Sequence, residues 1–583
     1  MIRKIADNIY SPLGCTTEEN YVAVKQGRSM LQSYPAGTMD LQEPFTASLF
    51  DWDAMELIPG YTRFETIVIR SMSRALEQTS VDVHSERLLF VLSSTKGNVE
   101  LLDSRALQHT DERIGLGAAA RAVADYFGFR RTPLVVSNAC ISGLSAQVTA
   151  MRLLLSGAYD TAIVCGADVQ SRFIISGFAS FKALSPQECR PFDIERIGLN
   201  LGEAAATIIY ANVQWSIANE EKSTACGQRP EASGKEWYAI SGAVRNDAFH
   251  ISGPSPKGEG CYRAIHAAMG NRLAADMAFV NVHGTSTMYN DEMESAAIDR
   301  AGLLNVPVNS LKGYYGHTMG AAGVLETILS MRAVEDGCVL ATRGYEELGV
   351  SHHVKVSGHH APTNKSSFLK LLSGFGGCNA AMLFSRLPNS KEAPLKPSVL
   401  TAEATVVITP DGVAVNGHAL PCQAHGAALL TEVYRSRVNN YPKFFKMDEL
   451  SRLGWLAAEL LLQAVGDRHS DSEDRAVIFF GSSSSICSDR KYQQTIDRAD
   501  DFFPSPAVFV YTLPNIVTGE IAIRNGYHGE TAFYLLNTYD EQLIRQTLEA
   551  AMLDVATTSA LCGWVDCQAE DSFEARLTLY VKH

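Results

Sequence analysis

Short apolar runs alternate with longer stretches of helical spacing through roughly the first 385 residues of the chain. Arg87–Ser94 (RLLFVLSS), Thr132–Ala139 (TPLVVSNA), Thr161–Asp168 (TAIVCGAD) and Ala205–Asn212 (AATIIYAN) predict buried strands. Between the second and third, ISGLSAQVTAMRLLLSGAYD carries apolar residues three and four apart and closes on Gly157, which predicts a helix. The segment is a strand–helix–strand unit with a thiol, Cys140, at its first turn. A second series follows at Met277–Gly284 (MAFVNVHG), Val306–Gly313 (VPVNSLKG) and Phe368–Gly377 (FLKLLSGFGG). The pattern predicts an α/β chain of layered sheets.

The pattern stops at Ser385–Leu400 (SRLPNSKEAPLKPSVL), where Pro388, Pro394 and Pro397 fall among charged residues as in a linker. The segment beyond this linker repeats the start of the chain. Glu86–Asn98 (ERLLFVLSSTKGN) matches Asp474–Ser488 (DRAVIFFGSSSSICS), and TAIVCGAD matches Thr558–Asp566 (TSALCGWVD), at an offset near 390–400 residues. Laying Gly526–Ile544 against Gly128–Ala146 sets Thr538 opposite Cys140, give or take one residue. The second copy has the strand without the thiol, so it reads as a degenerate half-repeat.

Composition narrows the function. At 583 residues the chain exceeds one ordinary core, so two or three domains are expected. A net charge of −14 argues against a broad nucleic-acid footprint. No apolar run reaches the roughly 18 residues of a membrane span, and MIRKIADNIYSPLGCTTEEN has no apolar signal core. A cytoplasmic location is the expectation. The twelve cysteines form no CxxC pair, and the histidines of SHHVKVSGHH lack metal-ligand spacing, so no metal site is expected. Neither a phosphate loop nor a GxGxxG after a strand is present, so nucleotide chemistry is not indicated.

Cys140 by itself admits two readings. Free cysteine is commonly a small core hydrophobe, while a thiol at a helix N-terminus is also where a nucleophile belongs, since the dipole favours thiolate. A nucleophile needs partners. His283 follows an apolar strand and precedes a Gly-Thr-Ser-Thr turn; His317 lies in a glycine-rich turn opening a helix, five residues after Lys312. Each alone could be a satisfied structural histidine.

Together, ACISG, HGTST, LKGYYGHTMGAAGVLE and SGFGGCNAAMLF, in this order, resemble the β-ketoacyl synthases, the condensing enzymes of fatty-acid and polyketide assembly. SPLGCTTEENYVAVKQGRS and CRPFDIERIGLNLGEAAATIIY are similar to that family's opening and mid-domain stretches. The resemblance spans residues 1–386, and it implies a thiolase-like five-layer αβαβα fold with halves at about 1–235 and 236–386. A linker at 387–400 and a C-terminal α/β half-domain at 401–583, itself similar to the N-terminal half of that fold, complete the expected organisation.

The implied reaction is a decarboxylative condensation of an acyl thioester on Cys140 with a malonyl thioester, giving a 3-oxoacyl product. Cys140, His283, His317, Lys312 and Phe375 are the implied catalytic set, with the backbone N–H groups of Cys140 and Phe375 as oxyanion donors. Thr285, Thr287, Leu199 and Glu326 are assigned to the substrate's surroundings, Glu326 also pairing Lys312 behind the histidines. Asp291 and Glu294 would fix the histidine loop. No cofactor is implied, because acyl groups arrive on the phosphopantetheine of an acyl carrier protein. A homodimer through the sheet beside the nucleophile strand is implied, or a heteromer with another synthase-like subunit.

Departures from the family pattern are Met288 where proline is usual, Cys378 where threonine is common, and Leu199 where many relatives have phenylalanine. The last, with the extra C-terminal segment, favours a secondary pathway of polyketides or polyenes. Arg130 and Arg131 are candidates for carrier docking. Two other readings stand beside the enzyme: a non-catalytic, chain-length-setting or scaffolding partner, and a thiolase-type acyltransferase using coenzyme A, against which LKGYYGHTMGAAG argues.

Overall fold

The computed structural model describes residues 1–103, 111–213, 236–388, 398–466, 468–497 and 502–583. Most of the expected linker and the junction near residue 235 lie outside these.

One five-stranded arrangement occurs three times. In the first unit, β1 (Ile2–Tyr10), α1 (Arg63–Leu76), β2 (Leu88–Ser93), α2 (Leu116–Phe127), β3 (Leu134–Val136), α3 (Ser142–Leu155), β4 (Thr161–Asp168), α4 (Arg172–Ser180) and β5 (Ala204–Asn212) follow in order. The sheet order is β3-β2-β4-β5-β1, with β2 parallel to β3 and β4, and β5 antiparallel to β4 and β1. The second unit comprises β6 (Tyr238–Asn246), α5 (Glu259–Met269), β7 (Met277–Asn281), α6 (Met288–Arg300), β8 (Pro307–Asn309), α7 (Ala322–Glu335), β9 (Ser367–Gly374) and β10 (Cys378–Ser385). Its order, β8-β7-β9-β10-β6, has the same directions.

The third unit runs β11 (Leu400–Thr409), α8 (Glu449–Val465), β12 (Arg475–Gly481), α9 (Ile486–Ile496), α10 (Pro506–Val510), α11 (Ile516–Asn525), β13 (Thr531–Leu535), α12 (Glu541–Ala551), β14 (Ser559–Ala569) and β15 (Ser572–Lys582). The order β13-β12-β14-β15-β11 repeats the first unit strand for strand.

Helices α3 and α7 lie between the first two sheets, α1 covers the outer face of one and α5 that of the other, which is the expected five-layer stack. The strands beside the central layer are buried on both faces, so their sequences are continuous apolar runs. The small residues of ISG and GAAG let α3 and α7 touch backbone to backbone. A Cβ at Gly323 would lie 2.3 Å from Leu144 N and 2.5 Å from Gly143 C. Gly323→Ala is therefore expected to cost about 1–3 kcal/mol, read as a lower urea midpoint with unchanged slope.

The third unit joins the first edge to edge. β13 pairs antiparallel with β3, Tyr534 opposite Val136 and Leu535 opposite Val135. Ser93 pairs with Val136 and Gly166, and Phe480 with Tyr534 and Trp564, so Val136 and Tyr534 hold equivalent places in their units. A residue meeting its own equivalent is what a two-fold axis produces. The same register puts Thr538 at the place of Cys140, as the repeat in the sequence has it. The edge through which the resemblance would pair two copies is thus filled by the chain's own β13, whose N–H and C=O groups satisfy the otherwise open ladder.

Turn chemistry repeats as well. Asp168 accepts from Thr95 N and Lys96 N at the end of β2, and Asp566 from Ser482 N and Ser483 N at the end of β12. Gly97 and Ser484 come next at φ +49° and +54°. The third sheet differs on its outer side: along β11, Ala404, Val406 and Ile408 are buried against α8, while Glu403, Thr405 and Val407 face outward. No helix among the described residues is long and apolar enough to cross a membrane.

Candidate active site

The chain leaves β3 through a strained turn. Ala139 has φ +48°, a left-handed conformation that costs a residue with a Cβ, and a single 3-10 turn, Ala139–Ile141, sets Cys140 ahead of α3. Ser142 Oγ accepts from Asn138 N at 2.8 Å and donates to Ala139 O at 2.6 Å. Asn138 Oδ1 accepts from Phe533 N at 2.7 Å, so the third unit helps hold the turn. Gly374, at the end of β9, faces it closely: a Cβ there would lie 3.2 Å from Cys140 N.

His283 stands two residues past β7. Glu294 on α6 accepts from the N–H groups of His283 and Gly284, both at 2.7 Å, and Asp291 from those of Thr285 and Ser286 at 3.0 and 3.1 Å. Both acidic side chains are buried, and Asp291 also accepts from Phe192 N at 2.8 Å, tying the loop to the mid-domain segment. His317 is held by the strand before β5: its N–H donates to Asn200 O at 2.7 Å, and its carbonyl accepts from Gly202 N at 3.0 Å. Gly316 is required there, since at φ +68° a Cβ would lie 2.4 Å from Leu201 O. Asp168 reaches the same turn, accepting from Gly320 N at 2.7 Å.

These three elements bring Cys140, His283 and His317 together, with one donor atom of each within 4.8 Å of the others. The imidazole centroids are 4.9 Å apart and the rings nearly perpendicular, at 85°. Met319 N–H donates to His317 Nδ1 at 3.2 Å. That bond assigns the lone pair to Nδ1 and the proton to Nε2. His317 Nε2 and His283 Nδ1 are buried with no hydrogen-bond partner among the described residues, a cost of about 1–3 kcal/mol each that is characteristic of functional sites. A thiol and two imidazoles are also a soft-metal donor set, but Nε2 of His317 offers a hydrogen rather than a lone pair.

Electrostatics keep the site uncharged. Burial, then Lys312, Lys370 and the neighbouring ring, hold His283 well below its ordinary range, and burial with the two lysines does the same for His317. Both rings are neutral at pH 7. Burial pushes the Cys140 thiol up to about 12 in spite of Lys312. The expected dipole-stabilised thiolate is therefore overturned: desolvation outweighs the helix terminus, and the resting group is a thiol.

Behind the histidines, Glu326 on α7 pairs with Lys312 through Oε1 and with Lys370 Nζ through Oε2 at 2.6 Å. Burial pushes Glu326 up, yet the two lysines outweigh it and hold the carboxyl below its ordinary range, while burial lowers Lys370 to about 8. With both oxygens engaged, Glu326 anchors the two lysines behind the histidines.

Thr285 and Thr287 meet, Oγ1 to Oγ1, at 2.9 Å. Phe375, Lys96 and Phe178 wall a cavity of about 30 Å³ at Cys140, together with Phe509 and Leu513 of the third unit. Leu199 packs in the adjoining apolar cluster and is not part of the wall. Cys378 Sγ donates to Phe375 O at 3.2 Å, which also accepts from Asn515 of the third unit at 2.8 Å. Arg130 and Arg131 are both engaged by Glu86.

Sequence reasoning missed Asp168, Lys370 and Phe509. A lysine inside the apolar run FLKLLSG was a signal for the second. Phe509 carried none, because its meaning comes from the seam between units.

A cysteine at a strand–helix turn, two neutral histidines from a second, topologically equivalent unit, and a five-layer stack define a condensing-enzyme type of protein. Residues 61–213 match the family model described as "Beta-ketoacyl synthase, N-terminal domain", and residues 239–346 that described as "Beta-ketoacyl synthase, C-terminal domain". These two segments belong to the β-ketoacyl synthase family, and the third unit lies outside both models. The chain is 33% identical over 265 residues to 3-oxoacyl-[acyl-carrier-protein] synthase 2 of Rhizobium meliloti (strain 1021), covering 43% of this chain and 60% of that one. Over 282 residues it is 33% identical to the tetracenomycin polyketide synthase ketoacyl synthase alpha subunit of Streptomyces glaucescens, covering 46% and 63%. The chain thus spans under two thirds of either relative. Its fold is similar to that of a structure titled "PfaC Keto synthase-Chain length factor", with TM-score 0.77 and 12% identity, over 100% of this chain and 78% of that one.

Proposed function

We propose that the chain is a 3-oxoacyl-[acyl-carrier-protein] synthase acting in the cytoplasm, which condenses an acyl group on Cys140 with malonyl-acyl carrier protein in fatty-acid, polyketide or polyene assembly. The observation that carries this reading is the thiol beside two neutral imidazoles, each with one buried ring nitrogen, His283 Nδ1 and His317 Nε2, that has no hydrogen-bond partner among the described residues.

Each step uses a group in place. Cys140 sulfur attacks the incoming acyl thioester, the carrier's thiol leaves, and the proton of Cys140 passes to it. The N–H groups of Cys140 and Phe375 serve as oxyanion donors. Malonyl thioester then loses carbon dioxide, and His317 Nε2–H, with His283 beside it, hydrogen-bonds the thioester oxygen as negative charge develops on it. The enolate carbon attacks the acyl carbonyl, the carbon–sulfur bond to Cys140 breaks, and the departing thiolate takes a proton from water to restore the thiol. Neutral rings suit this role, because they donate hydrogen bonds without needing to titrate. The paired hydroxyls of Thr285 and Thr287 suit the amides of a pantetheine arm.

The third unit has no thiol at Thr538, yet Phe509 and Leu513 complete the cavity wall. This supports a division of labour within one chain, in which the third unit does for the cavity what a chain-length factor does for a separate synthase. The non-catalytic reading then applies to that unit rather than to the whole. Relatives of the fold are titled as pairs of synthase and chain-length factor.

Intact-protein mass spectrometry with acyl carrier proteins bearing different chains tests the reading. A mass gain of one acyl group, followed by a 3-oxoacyl product on adding malonyl-acyl carrier protein, is expected. A folded protein that loads no chain from a competent carrier would refute it. Chain length gives a second prediction. A cavity of about 30 Å³ is near the volume of one water, so a longer chain must displace a wall. Phe509 abuts α4 so closely that a Cβ at Gly177 would lie 2.0 Å from its ring. Phe509→Ala is expected to raise the kcat/KM ratio of long over short acyl chains by about tenfold or more.

A further inference from the structure

Lys96 is an unusual wall for an acyl cavity. It sits in the turn after β2 and lines the same cavity as Cys140, yet the cavity surface is wholly apolar, so Lys96 contributes its methylenes. Its Nζ is turned away across the seam, 2.6 Å from Asp489 Oδ1 and 3.4 Å from Ser485 Oγ, both on or beside α9 of the third unit. Phe173 lies under the amine at 5.5 Å. The Lys96 side chain is 4% exposed and that of Asp489 9%. The turn is fixed on its other side by Asp168, which accepts from Lys96 N.

A primary amine in a cavity that holds a thioester is a hazard. Attack of Nζ on the acyl-Cys140 carbonyl would form a carbon–nitrogen bond and break the carbon–sulfur bond. The sulfur would leave as thiolate and take the proton shed by nitrogen, leaving a free thiol and an acyl-lysine amide. No co-reactant is needed, and the amide does not revert, so the enzyme would be dead. The reaction requires a free lone pair on nitrogen.

We propose that Asp489 is a positioning residue that guards the acyl-enzyme: it occupies the Lys96 amine and keeps it pointed out of the cavity, so that the acyl group stays on Cys140. Burial pushes Lys96 down and Asp489 up, toward one shared proton. In either location of that proton the amine's lone pair is engaged, as part of an N–H bond or as acceptor of the carboxyl hydrogen. The inference rests on the acyl-Cys140 reading above.

The test loads wild type, Asp489→Leu and Asp489→Asn with a hexanoyl-acyl carrier protein, adds neutral hydroxylamine, which cleaves thioesters and spares amides, and reads intact and peptide masses. In wild type the acyl mass is expected to vanish with hydroxylamine even after prolonged standing. In the variants a resistant acyl group on the peptide containing Lys96 should exceed wild type by about tenfold or more, because the two groups share one cavity. Asp489→Glu should behave as wild type, and Lys96→Met/Asp489→Leu should load but hold only cleavable acyl. Both charges are removed in that double variant, so it also controls for folding. A folded Asp489→Leu or Asp489→Asn with only cleavable acyl would overturn the proposal. So would resistant acyl on Lys96 in wild type, a result that requires no variant to fold. Failure of wild type to load at all would instead remove the acyl-Cys140 reading itself.

Discussion

Cys140→Ala is expected to lower condensation by on the order of 10⁴-fold or more, while malonyl decarboxylation persists at a measurable rate. The two steps draw on different groups. Acyl transfer needs the sulfur: Cys140 is the thiol placed with the two histidines, and the neighbouring Ser142 hydroxyl is occupied with the turn. Decarboxylation needs hydrogen bonds to a developing enolate oxygen. Those donors are rings held by backbone and carboxylate partners that do not include Cys140: Met319 N–H fixes His317, and Glu294 fixes the His283 loop. Removing sulfur from a small, apolar cavity leaves that scaffold in place and costs little packing. The complementary variant, His317→Ala, should still take up an acyl group yet lose decarboxylation. Carbon dioxide release and acyl mass, measured on both variants, separate the two roles. Equal loss of both activities in Cys140→Ala would mean that the thiol and the rings act as one unit, and the assignment of roles would fail.

Much of the first two units was legible because their strands are buried on both faces. Continuous apolar runs such as TAIVCGAD are hard to mistake, and the glycines of ISG and GAAG mark helices that touch. The third unit was legible only through its repeat. Its β11 and β15 alternate buried and outward residues, a weaker pattern in which polar positions such as Glu403 and Arg576 dilute the signal. What local sequence cannot carry is the seam. That β13 completes the sheet at β3, that Phe509 closes a cavity around Cys140, and that Asp489 meets Lys96 all depend on contacts between residues far apart in the chain, Lys96 and Asp489 by 393 positions. The thiol's protonation was misjudged for a related reason. A helix terminus is visible in sequence, whereas the burial that overrides it is a property of the whole stack.

The seam supplies the largest stability effect. Asp554 of the third unit lies 2.9 Å from Arg152 of α3 and 2.9 and 3.1 Å from Arg245 of β6, so one carboxylate ties all three units together. Burial pushes this carboxyl up, but the two guanidinium groups outweigh it and pull it down to about 2. Asp554→Ala leaves two arginines, each nearly inaccessible, without their common counter-charge; Glu530 and Glu473 still meet one apiece. Breaking a buried pair from one side costs about 3–5 kcal/mol, and that loss is expected in urea unfolding at pH 7. The pH dependence comes from the direction of the shift. A carboxylate whose folded value lies below its unfolded value of about 3.9 stabilises above the latter and loses that contribution as pH falls through the folded value. Holding the carboxyl at about 2 in the folded chain rather than about 3.9 in the unfolded one corresponds to about 2–3 kcal/mol. The gap between wild type and Asp554→Ala should therefore be constant from pH 7 to about 5 and narrow between about 4 and 2. A gap below about 1 kcal/mol at pH 7 would show that Asp554 does not hold the units together. A gap unchanged by acid would show that its charge is not what does so.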